Sequence, residues 1–445
     1  MTSSDTSGAL SAHICPDARA SAVDVRLAAR PSAAESRPDA RASAVDVQLA
    51  AAYLSRVAEP ASVPLWLFVQ EHGYVAAAEA VRRGDAPPEV AAHTEARRST
   101  ADPGADLEAA ERNTIRLITP LDDEWPHFGL AALSVAGERR ATEWLAGART
   151  RPERGELMPP LALWVRGAGD LRSLGVRSLA VVGSRAATAY GEHVASDFAY
   201  GVAQRDVVIV SGGAYGIDAA AHRGALAADG VSVLVSAGGL DRPYPTGNRN
   251  LYSRTAERGL LISERPPGSA PHRQRFLSRN RLIAALGSAT LVVEAAHRSG
   301  ALNSARYARD LGRPVLAVPG PVTSAMSVGC HALIRRDEDP ARLVTSVADV
   351  LAYCGGAELF TDPDGAIPSS EAGQLAGSSG YDALDAVSKS VLDGFPGRGS
   401  VTEAALASLS GRPIQVVLAA LPVLQGLGLV AASREGYRLN RPPRG

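Results

Sequence analysis

Four arginines, one phenylalanine and one asparagine lie within nine residues of one short segment, and no acidic residue lies among them. The six residues are Arg273, Arg275, Phe276, Arg279, Asn280 and Arg281. Guanidinium groups bind phosphate oxygens, while an aromatic face stacks on any base. The segment therefore predicts an interface for single-stranded nucleic acid. The alternative is a solvated arginine-rich loop, because nearly every cation in this chain is arginine.

A glycine-containing loop, VVGSRAATAYG, follows a run of apolar residues and could bind an anion. Gly183 and Ser184 could offer backbone N–H groups, and Arg185 adds a guanidinium suited to phosphate. The spacing matches neither G-x-G-x-x-G nor GxxxxGK[ST], which disfavours an ordinary dinucleotide site or P-loop. A tight turn with a surface arginine is the alternative interpretation.

A second loop, VSGGAYGID, begins with Ser211, Gly212 and Gly213. Such small residues let a phosphate or another backbone approach closely. Asp218 lies near the start of the next helix, where capping is favoured over catalysis. His222 follows one turn later without an evident metal partner, and we interpret it as structural.

A third loop, VVEAAHRSGALNSARYA, contributes Ser299, Gly300 and Asn303. We expect them to line the same edge as the other loops, with helix capping as the alternative for Ser299 and Asn303. The sequence holds no G-x-S-x-G elbow, no HExxH motif and no cysteine paired with a recognisable base. The nine histidines show no ligand spacing. The sequence therefore predicts no catalytic residue, no metal and no cofactor.

Six short runs rich in Val, Ile and Leu recur between residues 176 and 351, separated by segments of helix length. Apolar runs without alternation, joined by helices, are typical of a parallel sheet buried on both faces. We predict an α/β fold with a doubly wound, Rossmann-like sheet, whose ligands bind at the carboxyl ends of its strands. Residues 176–335 hold 18 Arg and 10 acidic residues, so positive charge is concentrated there.

The remaining chain divides by composition and periodicity. PDARASAVDVRLAA from Pro16 recurs with one change from Pro38, which favours a duplicated disordered leader, with a short helical arm as the alternative. RLITPLDDEWP and PPLALWVRG indicate short strands that lead into the α/β domain. The predicted units are a leader over 1–50, a helical domain over 51–150, the α/β core over 151–354, a Gly/Ser-rich linker over 355–380 and a winged-helix domain over 381–445.

The composition excludes several broad classes of protein. The 445 residues are 46% hydrophobic and 21% charged, as in globular proteins, and the formal net charge of −1 excludes a uniformly basic coat. No apolar run is long enough to span a membrane, and the N-terminus lacks the pattern of a secretory signal. The three cysteines lie far apart, which is typical of a reducing cytoplasm.

Six motifs in fixed order resemble the DNA-processing protein DprA (Smf) family. They read VVGSRAATAYG, SGGAYGIDAAAHRGAL, GGLDRPYPTGNRNL, FLSRNRLIAAL, VVEAAHRSGALNSA and VPGPVTSAMSVGCHALIR. The resemblance implies a cytoplasmic protein that binds and protects single-stranded DNA during natural transformation, dimerises through its α/β domain and helps to load the recombinase RecA. It also implies a helical, SAM-like N-terminal domain and a C-terminal winged helix. The DNA pocket of the family corresponds here to Arg185, Ser211, Gly212, Gly213, Phe276, Arg279, Asn280 and Arg281.

The sequence departs from the family pattern at a few positions. Gly213-Ala214-Tyr215 stands where many members have Leu-Ala-Arg, which removes one cation, although Tyr215 could offer stacking instead. Two enzyme classes remain as alternatives. A nucleotide phosphoribohydrolase shares the general design, but its PGGxGTxxE motif is not found. A dinucleotide oxidoreductase is disfavoured by the missing glycine fingerprint.

Overall fold

A largely parallel sheet forms the centre of the computed structural model, which describes residues 39, 42–147, 157–174, 176–354, 384, 386–396, 399–426, 429–433 and 436–440. Within these residues one sheet holds nine strands: β1 (Ile115–Ile118), β2 (Leu163–Arg166), β3 (Ser178–Val182), β4 (Val208–Gly212), β5 (Ser232–Val235), β6 (Leu260–Ser263), β7 (Ala289–Val292), β8 (Val315–Ala317) and β9 (Arg342–Leu343). Their order is β1-β2-β6-β5-β4-β3-β7-β8-β9. Strands β3 to β9 are parallel, while β1 and β2 add an antiparallel edge. The predicted α/β class with a parallel sheet is confirmed.

Helices cover both faces of this sheet, because successive strand residues point to opposite faces and both sets are apolar. The helices of this part are α6 (His127–Leu145), α7 (Ala189–Ala203), α8 (Ile217–Ala227), α9 (Arg249–Arg258), α10 (Arg273–Leu286), α11 (Ala301–Asp310), α12 (Val328–Ile334) and α13 (Val347–Leu351). Leu179 and Val181 of β3 pack with α7, α8 and α13. Ala180 and Val182 pack on the other face with α6, α10 and α11.

The N-terminal helices pack on this same sheet. They are α1 (Ala44–Val57), α2 (Val63–His72), α3 (Tyr74–Arg83), α4 (Pro88–Thr94) and α5 (Pro103–Arg112). Tyr53 and Leu54 of α1 share one apolar cluster with Trp164 of β2 and Leu261 of β6. The segment that follows them supplies edge strand β1. The predicted boundary at residue 150 therefore does not separate two cores.

Helix α1 begins inside the segment that was expected to be a disordered leader. Ser43 caps the helix by accepting a hydrogen bond from the backbone N–H of Asp46 at 3.1 Å. Val47, Ala50 and Ala51 recur at helical spacing and are buried against the next helices. The second copy of the repeat thus forms the first turns of α1. Residues 1–38 of the leader predicted over 1–50, and the linker predicted over 355–380, lie outside the described residues.

The C-terminal unit has an apolar core of its own. It consists of α14 (Ala386–Asp393), α15 (Glu403–Ser410), α16 (Ile414–Gly426), β10 (Val430–Ser433) and β11 (Gly436–Leu439). Leu406, Val417 and Leu424 are fully buried within it. The elements follow the predicted order of helices and hairpin, while a winged-helix role stays a prediction. Among the described residues no single helix qualifies as a membrane span, and α15 with α16 qualify only as a pair bent by 104°.

Two arginines that were expected to bind phosphate instead hold α10 in place. Arg281 is fully buried, and its guanidinium donates to both carboxylate oxygens of Glu264 at 2.6 and 2.7 Å. Its Nε donates to the carbonyl of Met158 at 2.8 Å. Because these contacts satisfy the guanidinium in a dry site, Arg281 cannot reach a ligand. It joins α10 to the end of β6.

Arg275 is the second arginine used in this way, and it joins α10 to the N-terminal helices. Its guanidinium donates to both carboxylate oxygens of Glu59 at 2.7 and 2.8 Å. Burial opposes ionisation of Glu59, but the hydrogen bonds from Arg275 and the charges of Arg265 and Arg97 lower its pKa to about 2. All three guanidinium nitrogens of Arg275 donate hydrogen bonds within the protein, so this buried side chain supports the fold and is not offered to a ligand.

Replacing Arg281 should destabilise the fold. Arg281→Ala leaves the largely buried carboxylate of Glu264 without its counter-ion, which typically costs about 3–5 kcal/mol. Urea unfolding should therefore show a large loss in the free energy of unfolding. Arg273→Ala on the same helix is the control, because Arg273 is exposed and a surface change costs about 0.5 kcal/mol or less. Equal midpoints for the two variants would contradict a structural role for Arg281.

Acidification should weaken the fold through His222. Its Nε2 contacts the carbonyl of Gly212 at 3.2 Å and its Nδ1 contacts the hydroxyl of Ser232 at 2.7 Å. Burial lowers the pKa of His222 from 6.5 to about 4. Its contribution is therefore complete above pH 6.5 and is lost as the pH falls toward 4, about 3 kcal/mol in all.

The test is the free energy of urea unfolding at pH 7.0, 5.5 and 4.5. His222→Gln keeps one donor and one acceptor but does not titrate, so it should lose less stability over this range than the wild type. Parallel losses in the two proteins would show that another group causes the acid sensitivity.

Candidate nucleic-acid interface

A pocket of about 420 Å³ lies where the strand order reverses, between the loops that follow β3 and β7. The chain continues from β3 to β4 on one side and from β7 to β8 on the other. Helices α7 and α11 consequently lie on opposite faces of the sheet, and their separation opens a crevice at the carboxyl ends of the strands. This is the edge at which the sequence predicted ligand binding.

The pocket brings together eight of the expected site residues. They are Gly183, Ser184, Arg185, Phe276, Arg279, Asn280, Ser299 and Gly300. The other seven do not line it, namely Ser211, Gly212, Gly213, Arg273, Arg275, Arg281 and Asn303. The N-terminal half of α10 supplies the ring and the amide, and the loops after β3 and β7 supply the opposite wall.

The loop after β3 presents a guanidinium rather than free backbone N–H groups. The N–H of Ser184 donates to the carbonyl of Glu294 at 2.8 Å. It is therefore not available to an anion, which corrects the expectation from the sequence. A Cβ on Gly183 would clash with Ile217, which explains the glycine. The side chain of Arg185 is exposed, and its guanidinium carbon lies 4.7 Å from the centroid of the Phe276 ring.

A buried carboxylate fixes this loop. Glu294 accepts hydrogen bonds from the backbone N–H of Thr188 at 2.9 Å and from its hydroxyl at 2.6 Å. Thr188 in turn caps α7 by accepting from the N–H of Gly191 at 3.1 Å. A Cβ on Gly191 would overlap Glu294. Sequence analysis did not identify this role of Glu294, although threonine before a helix is a capping signal.

In the second glycine loop, Ser211 and Gly212 serve close packing inside the protein rather than direct ligand contact. The hydroxyl of Ser211 donates to the carbonyl of Val181 at 2.6 Å. A Cβ on Gly212 would overlap both the carboxylate of Asp218 and the guanidinium of Arg279. The glycine therefore allows these two charged side chains to enter the floor of the pocket, which corrects the expectation that a phosphate approaches this backbone.

Arg279 places a positive charge at the floor of the pocket. Its Nη1 donates to the carbonyl of Val235, and its Nε has no hydrogen-bond partner within the described part of the chain. Burial lowers the pKa of Arg279 and raises the pKa of Asp218 beside it, although each charge favours the other. An entering anion would meet the positive charge of this guanidinium in the pocket lining.

Phe276 lies at the mouth of the pocket, and two guanidinium groups lie near its ring. The guanidinium carbon of Arg279 lies 5.8 Å from the ring centroid, and that of Arg185 lies 4.7 Å from it. Asn280 follows one turn later and its amide lies 3.5 Å from the carbonyl of Gly300. A half-buried ring flanked by cations and an amide can stack a base while the cations contact phosphate.

Ser299 and Asn303 have local roles. The hydroxyl of Ser299 accepts from the N–H of Ala301 at 3.2 Å, although the N-cap position of α11 is Gly300 and not Ser299. Asn303 donates to the carbonyl of Leu277 at 3.4 Å and accepts from Arg306 at 2.8 Å. Among the described residues, no three His, Cys, Asp or Glu side chains group closely enough to hold a metal ion.

Comparison with known proteins places this geometry in a family. The family model described as DNA recombination-mediator protein A matches residues 152–355. A putative DNA processing protein DprA of Mycobacterium tuberculosis is 47% identical over 395 residues, which cover 88% of this chain and 94% of that protein. The DNA processing protein DprA of Streptococcus pneumoniae is 42% identical over 193 residues, covering 43% of this chain and 66% of that protein.

A solved structure agrees with the sequence relatives. The X-ray structure of DNA processing protein A from Streptococcus pneumoniae aligns with a TM-score of 0.53 and 30% identity, and covers 69% of this chain and 97% of that one. The shared fold and the 47% identity to the mycobacterial protein over most of both chains assign this chain to one family. This chain belongs to the DprA (Smf) family of DNA-processing proteins.

Proposed function

We propose that this chain binds single-stranded DNA in the pocket between the loops after β3 and β7. The observation that carries the proposal is the position of Phe276, half-buried at the mouth of the pocket with Arg185 and Arg279 beside its ring. A single strand can insert a base against this ring, whereas the bases of a duplex are already stacked. Membership in a family of DNA-processing proteins supports the same ligand.

The proposed role is that of a recombination mediator that acts by binding rather than by catalysis. The chain would protect single-stranded DNA entering the cell during natural transformation and help to load RecA onto it, in the cytoplasm. It would work as a homodimer formed through the α/β domain. The family model, described as a DNA recombination-mediator protein, supports this class of function.

Two residues are proposed to make the principal DNA contacts. Arg185 is exposed at the pocket mouth and would contact phosphate, and Phe276 would stack a base. Arg279 would add positive potential from the floor of the pocket. Arg275 and Arg281, which bind Glu59 and Glu264, take no part.

Arg185→Ala should weaken binding to single-stranded DNA and reduce its dependence on salt. Each lost phosphate contact lowers the slope of log affinity against log salt by about 0.7 for single strands. Fluorescence anisotropy of labelled oligo(dT), with a matched duplex in parallel, measures both quantities across a salt series. The wild type should bind the single strand more tightly than the duplex.

The matched control is Arg205→Ala. Arg205 is also exposed, but it precedes β4 and thus lies at the amino ends of the parallel strands, opposite the pocket. Both variants change the net charge equally, so a general charge effect would shift them together. An unchanged salt slope for Arg185→Ala would place the DNA interface elsewhere.

Phe276→Ala should reduce the help given to RecA at protein concentrations that just saturate the wild type. The lost stack should cost about 1–3 kcal/mol in DNA binding. The measurement is RecA-catalysed ATP hydrolysis on oligonucleotides first coated with single-strand-binding protein, with and without this chain. The wild type should accelerate hydrolysis more than Phe276→Ala does at the same protein concentration. No acceleration by the wild type would refute RecA loading while leaving the DNA-binding result intact.

A further inference from the structure

We propose that two exposed tyrosines, Tyr244 and Tyr215, extend the stacking surface that begins at Phe276. The three rings, called here the aromatic row, would each contact a base of the same strand as it leaves the pocket. This inference rests on the proposed function, because it identifies further positioning residues for the same ligand. Neither tyrosine lines the pocket itself.

Tyr244 lies next to Phe276. The ring centroids are 5.7 Å apart and the ring planes are inclined by 48°. Half of the Tyr244 side chain is exposed. The rings are therefore tilted rather than stacked face to face, and the exposed half of Tyr244 can contact a base next to the one on Phe276.

Buried polar side chains hold the loops that carry the two tyrosines. The hydroxyl of Tyr252 donates to the carbonyl of Tyr244 at 2.8 Å. The amide of Asn248 donates to the carbonyls of Gly213 and Ala214 at 3.0 and 3.2 Å. The loop of Tyr244 is thereby fixed to the loop of Tyr215. A backbone that is already ordered loses little conformational entropy when DNA binds.

Tyr215 is held in the same region by a glycine. Its hydroxyl and ring lie against Gly247, where a Cβ would stand 2.5 Å from the hydroxyl and 3.3 Å from the ring. Half of Tyr215 is exposed as well. Fixed polar contacts beneath two exposed rings indicate that the rings serve a ligand, since an amphipathic, rigid ring is a favoured binding group.

Positive charge accompanies the two tyrosines. Arg242 lies two residues before Tyr244 with most of its side chain exposed, and it lies 3.5 Å from Asp241. Arg249, at the start of α9, is exposed too. Exposed rings beside arginines thus repeat the arrangement at Phe276. The rings would contact bases, and the arginines would contact phosphates.

The test compares Tyr244→Ala and Tyr215→Ala with the wild type in oligo(dT) binding by anisotropy. Loss of one stacking contact should weaken binding by each variant about 5- to 150-fold. Tyr244→Phe should bind like the wild type because it keeps the ring. Tyr200→Ala is the control, since Tyr200 is an exposed tyrosine near the far end of α7. Circular dichroism and thermal midpoints establish that the variants are folded.

An abasic oligonucleotide separates stacking from other effects. With the bases removed, the wild type and Tyr244→Ala should bind equally, because no base remains to stack. Tyr215→Arg should steepen the salt slope by about 0.7, since a phosphate contact replaces a stacking contact. Both results would support the aromatic row. Under a purely structural role, Tyr244→Ala would bind the abasic oligonucleotide less tightly than the wild type, and Tyr215→Arg would leave the salt slope unchanged.

Two outcomes overturn the inference in distinguishable ways. If Phe276→Ala weakens binding but both tyrosine variants bind oligo(dT) like the wild type, the proposed function stands and the aromatic row is refuted. If the wild type binds no oligonucleotide even at low salt, the proposed function and the inference fail together.

Discussion

Parallel strands β3 and β7 lie side by side, and the helices that follow them cover opposite faces of the sheet. Right-handed crossovers carry the chain away from this point in two directions, so the two loops must diverge. The pocket, the position of Arg185 and the approach of α10 all depend on this divergence. Glu294 and Thr188 then fix the loop after β3 in one conformation.

Helix α10 divides its residues between the fold and the pocket. Phe276, Arg279, Asn280 and Ile283 recur at spacings of three and four, so they share the face that lines the pocket. Arg275 and Arg281 lie on other faces, where carboxylates bind them. A buried guanidinium needs such a partner because desolvation of an unpaired charge is costly. The same residue type thus holds the helix at two positions and faces the ligand site at another.

The N-terminal helices are part of the support for the site. Arg265 is buried at the C-terminal end of α1, where its Nη1 donates to the carbonyls of Ser55, at 2.7 Å, and Ala58. Burial lowers the pKa of Arg265 to about 9. Glu59, just beyond α1, binds Arg275 of α10. The position of α10, and with it the pocket wall, therefore depends on residues far away in the sequence.

The sequence alone determined the α/β class, the six parallel strands β3 to β8, the edge that carries the loops and the family motifs. These depend on local patterns, namely apolar runs of strand length and short loops of small residues. Arg185, Phe276 and Asn280 were likewise identified from residue type. Only the tertiary structure decided which arginines are buried, because Glu59 and Glu264 meet α10 from separate parts of the chain. It also decided that the N-terminal helices share the sheet and that Tyr244 lies beside Phe276. Contacts between residues distant in sequence leave no periodic signal in the sequence. Only the three-dimensional structure therefore shows them.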